Sequence, residues 1–382
     1  MKVARIETFV LRAAPPEVYW GARTWSADRG GQVAGYPVPA RRRYAYSPTI
    51  DTVLVRLETT DGVTGWGECK APVAAPATAA IVNELLAPLV TGTRLDEIAV
   101  TWERMYAGMR VRGHDAGFWL EALSGVDIAL WDAWGRTLGQ PVHALLGGAF
   151  RASVPVYASG IPAADPDPRA RGEALRDAGW TAVKVAIGLD PARDIAAVES
   201  VRDLFPRVFA DAAGQYDVRQ ALHVGRALQE LGVGFFEMPI APEHVAGYRE
   251  LAGRLDVPLA LDSLPGRFRA LEFLRAGALH VLQPDVCRAG GITETMRIAA
   301  LADAFGAQAT PHVSIGSSVH FAASLSCAAA IPNLDVVEHW IGDNPLSAVA
   351  AVAPPAGGER TVNPLPGLGL DIDEARVRAL AE

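Results

Sequence analysis

The chain has 382 residues, 50% of them hydrophobic and 20% charged, with a net charge of −8. That length accommodates a barrel of about 250 residues plus one further domain of about 130, with cores large enough to need no staples. The acidic balance argues against nucleic acid, and three scattered cysteines (Cys69, Cys287, Cys327) exclude a disulfide framework and a thiolate zinc site.

The first residues, Met1-Lys2-Val3-Ala4-Arg5-Ile6-Glu7, place charges where an export signal needs an apolar run. No segment is apolar for long enough to span a bilayer, so an unexported, cytoplasmic protein with no membrane partner is expected. Residues 3–11 read as a strand. Residues 13–46 then form a loop rich in Trp, Tyr, Gly and Pro, longer than a compact domain carries without a reason. Trp20, Arg23, Trp25 and Tyr44 mark it as a lid that folds over something and are its candidate substrate-binding side chains. Arg41-Arg42-Arg43 beside Tyr44 and Tyr46 reads as part of that loop and not as an RNA-binding patch. Two strands, 52–58 and 64–68, flank the turn signal Asp61-Gly62, and helical patterns cover 78–89, 95–110 and 118–138.

From about residue 150 a single pattern recurs every ~25 residues: an apolar run, a charged or His residue at its end, then a helical stretch. The runs are 154–157, 182–185, 208–211, 234–237, 258–262, 280–283, 308–312 and 334–338. Apolar-periodic stretches at 193–204, 218–231, 244–255, 267–276 and 292–305 lie between them. Eight strands alternating with helices predict an α/β barrel of TIM type with its chemistry where the strands end. The final residues, 364–382, predict a short strand and a helix that return to the first domain.

Three consecutive strands end in Asp211, Glu237 and Asp262. Carboxylates converging on a barrel axis repel one another unless a divalent cation sits between them, and all-oxygen ligands suit Mg²⁺ or Mn²⁺. Asp285 and His312 end the next two strands, so the carboxylate would fix the imidazole tautomer and make His312 a general base. The other histidines, His320 included, read as core or surface residues, and His339 points away from Glu338 across its strand. Lys184 is a cation in an apolar run, aimed at an anionic substrate, and Glu338 completes the ring, able to hydrogen-bond an oxyanion if protonated.

Several segments resemble the enolase superfamily, specifically its mandelate racemase subgroup. They are Gly65-Trp66-Gly67-Glu68, the stretch Ala122-Leu123-Ser124-Gly125-Val126-Asp127, Leu145-Leu146-Gly147-Gly148, Gly179-Trp180-Thr181-Ala182-Val183-Lys184, Phe236-Glu237-Met238-Pro239, Gln283-Pro284-Asp285-Val286 through Gly290-Gly291-Ile292-Thr293-Glu294, and Pro311-His312. The resemblance implies a modified (β/α)7β barrel over residues 136–354 and an α+β cap over 1–135, completed by 355–382. It makes Asp211, Glu237 and Asp262 ligands of an essential Mg²⁺, His312 the base with Asp285 its partner, Lys184 a contact to the substrate carboxylate and Glu338 an enolate stabiliser. The implied step is removal of the proton α to a carboxylate, giving an enediolate held by the metal. A homo-oligomer, dimeric or octameric, is also implied.

Three positions depart from the subgroup: Ala186 replaces a second Lys, Ala213 stands where Asn is common, and Asp262 is shorter than the usual Glu. Without a base on the second face a racemase is disfavoured. The expected activity is dehydration of an acid sugar to a 2-keto-3-deoxy acid, with a cycloisomerase opening a sugar-acid lactone or anhydro ring as the alternative, an epimerase further off, and a non-catalytic binding protein as the reading of another class.

Overall fold

The structure is a computed structural model that describes residues 1–14, 47, 49–262 and 264–382, with the backbone of 31–33 and 36–38. Strands β1 (Val3–Ala13), β4 (Ile50–Thr59) and β5 (Thr64–Cys69) form an antiparallel sheet in the order β1-β4-β5. A hairpin of β2 (Gly31–Val33) and β3 (Tyr36–Val38) falls within the expected lid loop. The helix Phe118–Leu138 lies across the three-stranded sheet so closely that a Cβ at Gly67 would run into the Gly125 carbonyl. Glycine at both positions is therefore a packing requirement, and the backbones approach through it.

The barrel strands are β6 (Ser153–Pro162), β7 (Ala182–Ala186), β8 (Arg207–Asp211), β9 (Phe236–Glu237), β10 (Leu259–Leu261), β11 (Val281–Leu282), β12 (Gln308–Ala309) and β13 (Val337–Trp340). They pair in parallel in the order β12-β11-β10-β9-β8-β7-β6-β13. Between β12 and β13 the ring closes through Ala309 N–H to Asn333 O at 3.2 Å and Val313 N–H to Glu338 Oε2 at 3.1 Å. All five expected helical stretches are present, for example Val218–Glu230, which starts with a capping box of Asp217 and Gln220. The eighth strand sits three residues later than expected. The C-terminal helix Glu374–Leu380 does reach β1, with Arg378 bonded to Glu7. The expected strand in 364–382 is absent; a strand lies earlier instead, as β14 (Glu359–Thr361), antiparallel to β6, so the backbone groups there are satisfied by the barrel.

Strand alternation builds the barrel interior in layers. Tyr157, Ala182, Phe209, Phe235, Ala260, Val281 and Val336 pack together as one buried cluster along the axis. The Phe209 and Phe235 rings stack with centres 4.2 Å apart, and Tyr157 closes on Phe209 at 5.0 Å. Each such ring stabilises the barrel by about 1.5–3 kcal/mol through burial. Since side chains repeat on one face every second residue, the next inward layer is Ser159, Lys184, Asp211, Glu237, Asp262, Gln283 and Glu338. An apolar floor thus lies under a polar layer at the C-terminal ends of the strands. No helix among the described residues is long and apolar enough to cross a membrane.

Candidate active site

Adjacent strands bring Asp211 and Glu237 into register. Glu237 Oε1 and Oε2 accept hydrogen bonds from Lys184 Nζ at 3.1 and 2.9 Å, and Oε2 also accepts one from Gln283 Nε2 at 3.0 Å. Lys184 Nζ is 2.8 Å from Glu338 Oε1 and 5.6 Å from the centre of the Tyr157 ring. Burial would lower the Lys184 pKa, but Glu237 and Glu338 reverse that and hold it well above the ordinary lysine value. Burial, and then the like charges of Asp211, Glu338 and Asp262 against the opposing Lys184, push Glu237 well above the usual carboxylate range. Glu338 goes the other way. Although burial alone would raise it, Lys184 and His312 bring it down to about 2, which favours the ionised form over the protonated one that could donate to an oxyanion.

The bridge between Asp285 and His312 places the two side chains together, with His312 Nδ1 2.9 Å from Asp285 Oδ2. With Nδ1 turned to the carboxylate, Nε2 is the ring atom that faces the carboxylate cluster. Nε2 lies 3.3 Å from Glu338 Oε2 and 3.7 Å from Asp262 Oδ2. Ligand atoms of Glu237, Asp262 and His312 all fall within 4.8 Å of one another. Asp262 Oδ1 is buried with no hydrogen-bond partner. Asp211 lies outside that tightest group, and its Oδ1 accepts the Ala213 N–H at 2.7 Å. Ala213 is held in the left-handed region at φ 46°, where Asn is more at ease than Ala, so this departure from the subgroup is visible as local strain.

A buried oxygen without a partner, a carboxyl raised by burial and by its neighbours' charges, and an all-oxygen set on adjacent strands suit a hard divalent cation. Asp211, Glu237 and Asp262 fit such an ion. Asp285, Cys287 and His320 also approach one another within 4.8 Å, but burial holds the Cys287 thiol well above its ordinary pKa, so it is not offered as a thiolate ligand.

Three residues near the site escaped the sequence reading. Lys70, just past β5, is buried and places Nζ 3.0 Å from Asp285 Oδ2, with a further bond to Ser314 Oγ. His320, fully buried, has Nε2 3.1 Å from Asp285 Oδ1, off the line of a good hydrogen bond. Burial would raise Asp285, yet His320, Lys70 and His312 together hold it well below the usual range. Gln283 is the third, donating to Glu237. Glu68 fixes the geometry from the cap: its carboxylate accepts from Thr52 Oγ1, Ser317 N–H and His320 N–H at 2.8, 2.8 and 2.9 Å, seating the helix Ser318–Ala330 against β5. Trp20, Arg23, Trp25 and Tyr44 lie outside the described residues.

A parallel barrel with a polar layer at its C-terminal rim, capped by an α+β sheet that reaches into that layer, is the architecture of a barrel enzyme. Residues 169–376 match the family described as enolase C-terminal domain-like, and residues 41–147 match the mandelate racemase/muconate lactonizing enzyme N-terminal domain. The chain is 34% identical over 340 residues to D-galactarolactone cycloisomerase of Agrobacterium fabrum, covering 84% of this chain and 89% of that protein. It is 33% identical over 346 residues to D-galactonate dehydratase of Ralstonia nicotianae, covering 85% and 90%. A crystal structure of an enolase superfamily member from Agrobacterium tumefaciens matches with a TM-score of 0.92 at 30% identity over 100% of this chain and 99% of that one. A racemase from Streptomyces coelicolor with bound magnesium matches at TM-score 0.85 and 25% identity over the whole of both chains. The chain belongs to the enolase superfamily, among its members with the mandelate racemase type of capping domain, and is an enzyme of that superfamily.

Proposed function

We propose that the protein is a Mg²⁺-dependent acid-sugar dehydratase, with Mn²⁺ as a possible substitute, acting on an aldonate or aldarate. The observation that carries this reading is a single imidazole base: His312 is locked onto Asp285 at 2.9 Å, while Ala186 leaves no second base on the strand that carries Lys184. Asp211, Glu237 and Asp262 would hold the cation, which when bound supplies positive charge to the substrate carboxylate as negative charge develops on it. His312 Nε2 takes the α-proton while Asp285 holds Nδ1–H. As the Cα–Cβ double bond forms, the β C–O bond breaks and the departing oxygen takes the proton back from His312 Nε2, leaving as water. The enol then tautomerises to a 2-keto-3-deoxy acid. Lys184, buried between two carboxylates, is the cation for which an anionic substrate competes.

A cycloisomerase is the second reading, favoured by the 34% identity to a galactarolactone cycloisomerase. It uses the same proton abstraction with a tethered leaving oxygen. A panel of aldonic and aldaric acids and their lactones, incubated with Mg²⁺ and read for 2-keto acids by mass, tests both. A product lighter by one water marks the dehydratase, and unchanged mass marks the cycloisomerase. No keto acid and no α-proton exchange in D₂O across the panel would overturn the proposal.

A further inference from the structure

A second polar site lies on the outer side of the barrel wall. Arg360, on β14, is 6% exposed. Its Nε is buried with no hydrogen-bond partner, and no carboxylate among the described residues pairs with it; the neighbouring Glu359 turns to Ser153 instead. The guanidinium rests on aromatic faces: Nη2 is 3.4 and 3.3 Å from the two His339 ring nitrogens, and the carbon is 4.7 Å from the Phe321 ring centre. His339 is no counter-ion, since burial and then the Arg360 charge hold its pKa down at about 4, leaving the ring neutral at pH 7. Burial brings Arg360 itself down to about 10, still protonated at neutral pH. A buried charge with no partner is rare in folded proteins, because desolvation is not offset.

Arg360 lines a cavity of about 530 Å³ together with Phe321, Trp340, Ser314 and Ser347. None of His312, Lys184, Glu237 and Glu338 borders it, because His339 and Glu338 are neighbours that face opposite sides of β13. We infer that this cavity is a binding site for a small metabolite bearing an oxyanion, a carboxylate or a phosphate, drawn by the unneutralised guanidinium of Arg360 in its wall, with its remainder against Phe321 and Trp340. A planar guanidinium donates two parallel bonds to either group, and the cavity has the size of a small-molecule site.

The test uses the full-length protein with its divalent cation, titrated separately with inorganic phosphate and with sodium acetate. Binding is followed by calorimetry and by the change in intrinsic tryptophan fluorescence, to which Trp340 contributes. Saturable binding of at least one ion is expected, weakened at least about tenfold in Arg360→Gln, the range for losing a charged hydrogen-bond donor. Ala348→Trp, an exposed position on the cavity lining, fills space in the cavity while leaving Arg360 in place and is expected to do the same if the first variant folds poorly. His312→Asn is expected to leave binding intact. Which ion binds names the chemistry of the natural ligand. No saturation by either ion up to about 100 mM overturns the inference. So does binding that both cavity variants leave unchanged, or binding that His312→Asn abolishes. No readout depends on turnover, so failure here and failure of the proposed activity are separable.

Discussion

Lys70 Nζ lies 3.0 Å from Asp285 Oδ2, the same oxygen that faces His312 Nδ1 at 2.9 Å. The capping sheet therefore contributes a cation to the partner of the proposed base, and Lys70 acts on His312 only through Asp285. Lys70→Met is expected to lower kcat about tenfold or more while changing KM much less, because a misplaced base slows proton transfer without removing a substrate contact. Steady-state kinetics on the substrate found in the acid-sugar panel check this. A rise in KM at unchanged kcat would make Lys70 a substrate contact instead.

His312→Asn is expected to reduce turnover by about 10²–10⁴-fold, the ordinary range for losing a general base. Asp285→Asn keeps the shape but cannot accept from Lys70, His312 and Cys287 N–H as a carboxylate does, and is expected to fall in the same range. Exchange of the α-proton in D₂O, followed by NMR, isolates this step from elimination. Full exchange in the His312 variant would assign the base elsewhere.

Glu237, raised by burial and then by Asp211, Glu338 and Asp262, and the partnerless Asp262 Oδ1 set the expectation for metal dependence. Treatment with a chelator should abolish activity, and Mg²⁺ or Mn²⁺ should restore it. The ion should also raise the melting temperature, since a ligand of the folded state alone stabilises it by mass action. Asp262→Asn is expected to weaken Mg²⁺ binding measured by calorimetry. Activity that survives chelation, or an unchanged affinity in that variant, would contradict the assignment.

Much of this site was legible from strand alternation, because the apolar floor and polar layer lie two residues apart on the same strands: Phe209 with Asp211, Phe235 with Glu237, Ala260 with Asp262. His320 was not. It sits in the helix Ser318–Ala330, of which every residue is buried, so no amphipathic period marks the helix and a histidine in it looks like any core residue. Lys70 was hidden for a different reason: its partner is 215 positions away, past the end of a barrel strand. Nor does sequence show what lowers the Glu338 pKa, since that depends on Lys184 standing 2.8 Å from it.

The Glu338 charge gives the stability a sign with pH. Its folded pKa of about 2 lies below the ordinary glutamate value of 4.5, so the ionised form is favoured by folding. That contribution is complete above about pH 4.5 and is lost as the pH falls toward 2, with an upper size on the order of 3 kcal/mol. Asp285, also depressed, acts in the same direction. Glu338→Gln leaves Lys184 with only one carboxylate and should be less stable than the parent at pH 7. Between pH 5 and 2.5, however, its melting temperature should fall less steeply, because the titrating group is gone. Thermal melts of both proteins with chelator present read this directly. Equal slopes would mean that Glu338 is not held ionised by Lys184 and His312, and that the acid sensitivity of the barrel lies in other carboxylates.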